Sequence, residues 1–427
     1  MFLAKSVFRR TMRPFSSLAW KPLAFPDKGF IRISEDQKIE EETLPKYVAS
    51  RFYPAQIGET IRDRYQIVGK LGFGAFSTVW LARDLSACQY VALKLSIHSE
   101  AMGYMLDNEL KVYNSIASTS EDCLGRSAVR PLLDTFNVEG PAGQHRCLVH
   151  PPFWESVEAT RYRNPILRLP KPFVAFVLKR VFEALDFLHT QCHVAHTDIK
   201  EANMLLGADE SIFRDFEQRE LDAPCPRKEV DGRIIYLTRE LNIPKEIREP
   251  VLCDFGSALP LGDGVERHED IQPNIYRAPE IILGIPWTYS VDMWNVGCVV
   301  WDAFEGGRLF TGRDPELSTY RGRAHLAEMI ALLGPPPPSL LARATLRAKF
   351  FSDTGEFCAG IPIPESTPLE KRETTIAGEE EAGEEEVGDR LLFLRFMRKM
   401  LQWEPEKRSS ARELLEDEWI VKHTAET

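Results

Sequence analysis

No C-x-x-C pair occurs anywhere in this 427-residue chain. Its eight cysteines (Cys88, Cys123, Cys147, Cys192, Cys225, Cys253, Cys298 and Cys358) are scattered, which argues against a metal cluster or disulfide framework and for reduced intracellular thiols. No apolar run approaches the roughly 18 residues of a membrane span, so no membrane partner is expected. A basic excess is also lacking. The formal net charge of −11 disfavours direct nucleic-acid binding and favours a basic partner. The first 26 residues are the local exception: they hold Lys5, Arg9, Arg10, Arg13 and Lys21, and no acid. That is the composition of a mitochondrial transit peptide, with Arg13-Pro14-Phe15-Ser16 resembling a cleavage site. A basic tail on a protein of the cytoplasm and nucleus is the alternative, and in either case the fold is expected to begin after residue 26.

The length fits a two-lobed core with terminal extensions. Residues 1–64 read as an extension. From Tyr65 to Leu95 the runs YQIVGKLGFG, STVWLARD and YVALKLS read as three strands, rich in β-branched and aromatic residues. A helix over Met105–Ile116 and two strands ending near Val149 complete a small antiparallel lobe, 65–150. Beyond it the apolar spacing turns helical, most clearly over Phe173–His189, and 151–421 reads as a larger helical lobe. The fold class is therefore α+β. Inserts are expected near 207–250 and 360–390. The second holds ten acids against two basic residues over Glu365–Asp389 and reads as a solvated loop. The chain is expected to act as a monomer.

Leu71-Gly72-Phe73-Gly74-Ala75-Phe76-Ser77-Thr78-Val79 lies between two strands. Glycines allow close backbone approach to phosphates, whose oxygens the N–H groups can bind. A plain hairpin turn is the competing explanation. A dinucleotide-binding reading is disfavoured, because a strand comes after the glycines where that motif needs a helix. About 20 residues later, Val91-Ala92-Leu93-Lys94 ends a strand in one lysine, placed to neutralise α- and β-phosphate charge. Glu109 is the carboxylate expected to hold that lysine; it shares a helix face with Tyr113 and Ile116, which the nearby Asp107 does not.

His196-Thr197-Asp198-Ile199-Lys200-Glu201-Ala202-Asn203 matches a phosphotransfer catalytic loop at four of its five defining positions. Asp198 would orient the substrate hydroxyl, Lys200 would meet the γ-phosphate and Asn203 would hold magnesium. Asp254, in Asp254-Phe255-Gly256, would be the second metal ligand, since magnesium takes hard oxygens and shares them with substrate phosphates. Aspartate-x-lysine is the serine/threonine form of the loop. Downstream, Arg408 is placed to pair with Glu280 of Ala278-Pro279-Glu280.

These motifs, in this order, identify the chain as similar to the protein kinases over roughly residues 65–421, with the bilobal fold and ATP and Mg²⁺ use that the resemblance implies. Within them it resembles the SR-protein kinases of the CMGC group, in a small fungal form. Gly74–Leu81 resembles that family's glycine loop, including Ser77 for the third glycine. Phe52-Tyr53-Pro54-Ala55-Gln56-Ile57-Gly58-Glu59 resembles its lead-in, and Thr197 stands where most kinases have arginine. The resemblance implies protein substrates rich in Arg-Ser repeats and a role in mRNA processing. It also implies an adenine-binding hinge at His150-Pro151-Pro152-Phe153, gripped through the Pro151 carbonyl and the Phe153 N–H. Glu201-Ala202 departs from the family's proline-glutamate and is expected to disturb the helix below the loop. A pseudokinase scaffold is the rival reading, opposed by the complete set Lys94, Glu109, Asp198, Lys200, Asn203 and Asp254. Finally, between Asp254 and Glu280 the only hydroxyl side chains are Ser257 and Tyr276, so activity without activation-loop phosphorylation is expected.

Overall fold

The structure is a computed structural model describing residues 19–98, 103–262, 264–376 and 384–425. The chain opens with strands β1 (Thr60–Ile61), β2 (Tyr65–Gly74), β3 (Ser77–Asp84) and β4 (Gln89–Ser96), then helix α1 (Gly103–Ser118), β5 (Asp134–Gly140) and β6 (Gly143–His150). Helices α2 (Val157–Arg163) and α3 (Lys171–Thr190) precede β7 (Val194–Ala195) and β8 (Met204–Ala208). Then come α4 (Ser211–Asp222), β9 (Arg227–Val230), β10 (Arg233–Tyr236), β11 (Ile247–Leu252) and β12 (Leu259–Pro260). The remainder is helical, led by α5 (Pro279–Leu283), α6 (Ser290–Glu305) and α7 (Gly322–Leu333). Both long helices expected from periodicity are present.

Two compact units result. The first takes residues up to 98 together with 134–152 and 213–242; the second takes 99–133, 153–212 and 243 onward. The single division expected at 150/151 is thus replaced by several crossings of the chain.

In the first unit a six-stranded antiparallel sheet runs in the order β1-β2-β3-β4-β6-β5. Its apolar face buries Tyr65, Ile67, Trp80, Leu93 and Cys147, and the insert adds Cys225 and Tyr236 to the same core. The Trp80 and Tyr236 rings meet edge to face at 5.7 Å. The first insert is therefore a structured part of this unit, built of α4 and the β9–β10 hairpin.

The fold also begins earlier than expected. Trp20 donates its backbone N–H to the Leu85 carbonyl at 2.9 Å, and its ring lies under the Arg83 guanidinium at 4.7 Å. Leu23 exchanges two hydrogen bonds with the buried Gln66 side chain. Residues 20–26 are integral to the sheet's packing, whereas Arg13–Ser16 lie outside the described residues.

The second unit is built on α3 and α6. In α6 every residue from Val291 to Glu305 is buried, because the helix is surrounded on all sides. The acidic stretch is only partly the solvated loop expected. Glu373 is buried and accepts from Arg390 Nε at 2.6 Å, while Asp389 is buried and accepts from His423 Nε2 at 2.7 Å. Residues 377–383 of that stretch lie outside the described residues.

Candidate active site

The glycine motif is a hairpin whose register decides what its residues do. Phe73 pairs with Thr78 and Gly74 with Ser77, leaving Ala75 and Phe76 as the turn. The Phe73 and Phe76 rings are exposed, whereas Thr78 is buried and accepts from Trp80 Nε1 at 2.9 Å. A Cβ added to Gly72 or Gly74 would meet no protein atom within 4 Å, so packing does not explain either glycine. Their lack of a side chain fits a backbone made for close approach by a phosphate. A hairpin turn is thus compatible with the expected phosphate cradle. Leu71 lies near the end of β2 on one side of the turn, and Val79 stands opposite Lys94 in the β3–β4 ladder. Lys94 also faces Leu148 of β6, and the buried Ala92 faces His150. Pro151 lies at the edge of this unit; Phe153 belongs to the other, where its ring lies 5.9 Å from the Arg130 guanidinium.

In the second unit, distant segments are brought together by the pairing of β8 with β11. Met204 stands opposite Leu252, and Cys253 donates its N–H to the Asn203 carbonyl at 2.9 Å. Asp254 therefore emerges beside Asn203 despite some fifty intervening residues. Asn203 Nδ2 donates to the Asp198 carbonyl at 2.9 Å and to Asp198 Oδ2 at 3.0 Å. With the amide nitrogen so committed, the amide oxygen is the Asn203 atom suited to a cation. Asp254 has left-handed backbone (φ 68°), a conformation rare outside glycine and common at functional turns. One carboxylate and one amide oxygen fit a hard divalent ion.

Asp198 Oδ2 also accepts from Lys200 Nζ at 2.7 Å, so both of these side-chain bonds fall on Oδ2. The loop is held from below by Asp292 of α6. Its two oxygens accept the backbone N–H groups of His196 and Thr197 at 2.8 Å each, and His189 Nε2 adds a third contact at 2.8 Å. Burial works against the Asp292 charge, but His189 and these donors outweigh it and hold the carboxyl below its usual range. Asp292 and His189 are site residues that the sequence reading misses. The available signal is an aspartate near the start of a largely apolar helix whose other charged residues, Asp302 and Glu305, lie near its end.

Glu109 is buried in α1. Two turns of that helix bear on the segment around Asp254: Asn108 Nδ2 donates to the Ala258 carbonyl, and the Tyr113 ring packs edge-on against Phe255 at 5.3 Å. Phe255 in turn meets His196 at 5.5 Å. This aromatic stack ties α1 to the segment around Asp254 and to the loop carrying Asp198. Glu201 does not disturb the loop. It is buried and takes Arg161 Nε on both oxygens at 2.9 Å, replacing the stiffness of a proline with an anchored ion pair. Arg408 embraces Glu280 with two bonds of 2.6 and 2.7 Å, and both side chains are fully buried.

The protein kinase domain family matches residues 65–420. The chain belongs to the protein kinase family. A serine/threonine protein kinase of Aspergillus fumigatus is 38% identical over 418 residues, covering 97% of this kinase and 99% of the relative. A serine/threonine-protein kinase named SRPK from Physarum polycephalum is 30% identical, covering 92% of this kinase and 93% of the relative. SRSF protein kinase 3 of Mus musculus is 22% identical, covering 89% and 91%. This kinase is a serine/threonine protein kinase of SR-protein-kinase type, and ATP is its phosphate donor.

Proposed function

We propose that this kinase transfers the ATP γ-phosphate to serine in basic, Arg-Ser-rich proteins of the mRNA-processing machinery, acting as a monomer in the cytoplasm and nucleus. The observation that carries the chemistry is the Asp198–Lys200–Asn203 cluster beside Asp254. Bound magnesium supplies charge neutralisation for the transferring phosphate, with Asn203 and Asp254 as its protein ligands. Lys94 and the glycine turn hold the phosphates. Lys200 holds Asp198 in one rotamer, and Asp198 Oδ1 orients the serine hydroxyl and takes its proton. The backbone N–H bonds to Asp292 keep that loop preorganised, so no reorganisation is required at the moment of transfer.

Support for the substrate class comes from the names of the relatives and from the net charge of −11, which suits a basic peptide. The test compares Arg-Ser peptides with acidic serine peptides. The Arg-Ser series should be strongly preferred, and its KM should rise with salt through physiological ionic strength. Equal activity on both series would leave only the serine/threonine activity standing.

A further inference from the structure

Lys70 immediately precedes Leu71 of the glycine motif, yet its side chain is 1% exposed. An ammonium group withdrawn from water must be met by charge or carbonyl oxygen, or the strand would not tolerate it. Lys70 Nζ is bonded to the Glu41 carboxylate, lies 3.4 Å from Glu40 Oε2 and 3.3 Å from the Tyr236 carbonyl, and sits 5.3 Å from the centre of the Phe73 ring. Glu40 and Glu41 come from the N-terminal extension, and Tyr236 comes from the insert. Both segments are also joined to each other. Glu40 accepts from the Thr238 N–H at 2.9 Å, and Glu42 pairs with Lys228 at 2.9 Å.

The backbone of β2 is gripped at the same point. The Lys70 carbonyl accepts the Arg239 N–H at 3.1 Å. A Cβ at Gly69 would stand 2.7 Å from the Phe216 ring, so the insert seats an aromatic where only glycine admits it. The β2–β3 register slips on both sides, between Ile67 and Gly69 and between Lys70 and Gly72. Such irregularities increase local twist and re-aim the strand beyond them, which here means the glycine turn.

We propose that Lys70, with Glu41 as its partner, is a positioning residue for ATP: together they fix the angle at which β2 presents the glycine turn to the nucleotide. The proposal rests on reading that turn as the phosphate cradle. The extension and the insert, neither of which bears a group assigned to phosphotransfer, thereby set nucleotide affinity.

The test uses full-length Glu41→Gln, Lys70→Met and Phe216→Leu, with initial rates measured against ATP and against peptide separately and melting temperatures recorded alongside. Because small misplacements of a binding group weaken binding steeply, KM for ATP should rise about fivefold to tenfold while kcat and the peptide KM stay within about twofold. Unchanged KM for ATP, with kcat falling only as the melting temperature falls, would overturn the proposal and leave an ordinary buried ion pair. If Lys70→Met does not fold, Glu41→Gln decides, since it keeps the side-chain shape and removes only the charge. Lys94→Met serves as the separate control. Should that variant retain normal ATP turnover, the reading of the nucleotide site fails, whatever Lys70 does.

Discussion

Thr197 Oγ1 donates a 2.7 Å hydrogen bond to the Ser257 carbonyl, joining the residue before the catalytic aspartate to the segment just beyond Asp254-Phe255-Gly256. In many kinases an arginine at this position waits for a phosphate to order the activation segment. Here a neutral hydroxyl makes the connection without one. Further along the segment, Gln272 bonds to the Val291 carbonyl at 2.8 Å and to Asn295 at 3.0 Å, and its own oxygen accepts the Ala278 N–H at 2.8 Å. Tyr276 is buried, with its hydroxyl bonded to Asp302 at 2.8 Å and to Arg308. Burial, with the Asp302 charge beside it, pushes the Tyr276 phenol well above its ordinary range.

Bacterially expressed protein, shown by mass spectrometry to carry no phosphate, should therefore be fully active. Tyr276→Phe should keep most activity but lose about 1–3 kcal/mol of stability, because it takes a hydrogen-bond donor away from the buried Asp302 carboxylate. Activity that appears only after treatment with an upstream kinase, and not in Tyr276→Phe, would refute constitutive activity.

Asp198→Ala should abolish phosphotransfer and leave nucleotide binding largely intact, since the aspartate handles the hydroxyl and not the nucleotide. Titration with a fluorescent ATP analogue checks binding, and turnover at saturating ATP checks chemistry. Retention of more than about a few per cent of turnover would mean that another group does this work.

Lys94→Met and Asp254→Ala should be nearly inactive for different reasons. The first leaves phosphate charge uncompensated; the second removes a carboxylate from the cation. Raising magnesium should not restore Asp254→Ala. Full rescue by magnesium would argue against direct ligation.

Arg408→Ala should cost about 3–5 kcal/mol, because it leaves the fully buried Glu280 carboxylate without its counter-charge. Arg408→Lys should recover little of this, as a single ammonium cannot make the paired bonds of a guanidinium. Urea unfolding monitored by fluorescence gives both values.

Stability should have an acid limb at Asp389. Burial opposes its charge, but His423 and Lys171 prevail and hold the carboxyl down at about 2. A depressed carboxylate contributes its stabilisation above the unfolded value of about 4, and loses it as pH falls from about 4 toward 2. Melting temperature measured against pH should show this loss, and Asp389→Asn should flatten it while lowering stability near neutrality.

The candidate catalytic residues are legible in the sequence because each is a chemical type fixed at a short spacing within one local element. The loop Asp198–Asn203, the strand carrying Lys94 and the Asp254 turn are such elements, and the α1 and α3 helices declare themselves through apolar periodicity. Long-range partners are less accessible. Arg408 and Glu280 can be paired through their motif context, but Arg161 with Glu201, and Thr197 with Ser257, involve residue types with many possible partners.

By itself, then, the sequence indicated the class of chemistry and the candidate residues for it. Tertiary structure decided what holds those residues in place. Asp292 becomes the support of the catalytic loop only because α6 packs beneath it. Residues 20–64 and 213–242, polar enough to read as extension and insert, become part of the first unit because their charges find buried partners in Arg83, Lys70 and Lys228. Local composition records that a glutamate is charged; only the fold supplies the lysine that offsets the cost of its burial.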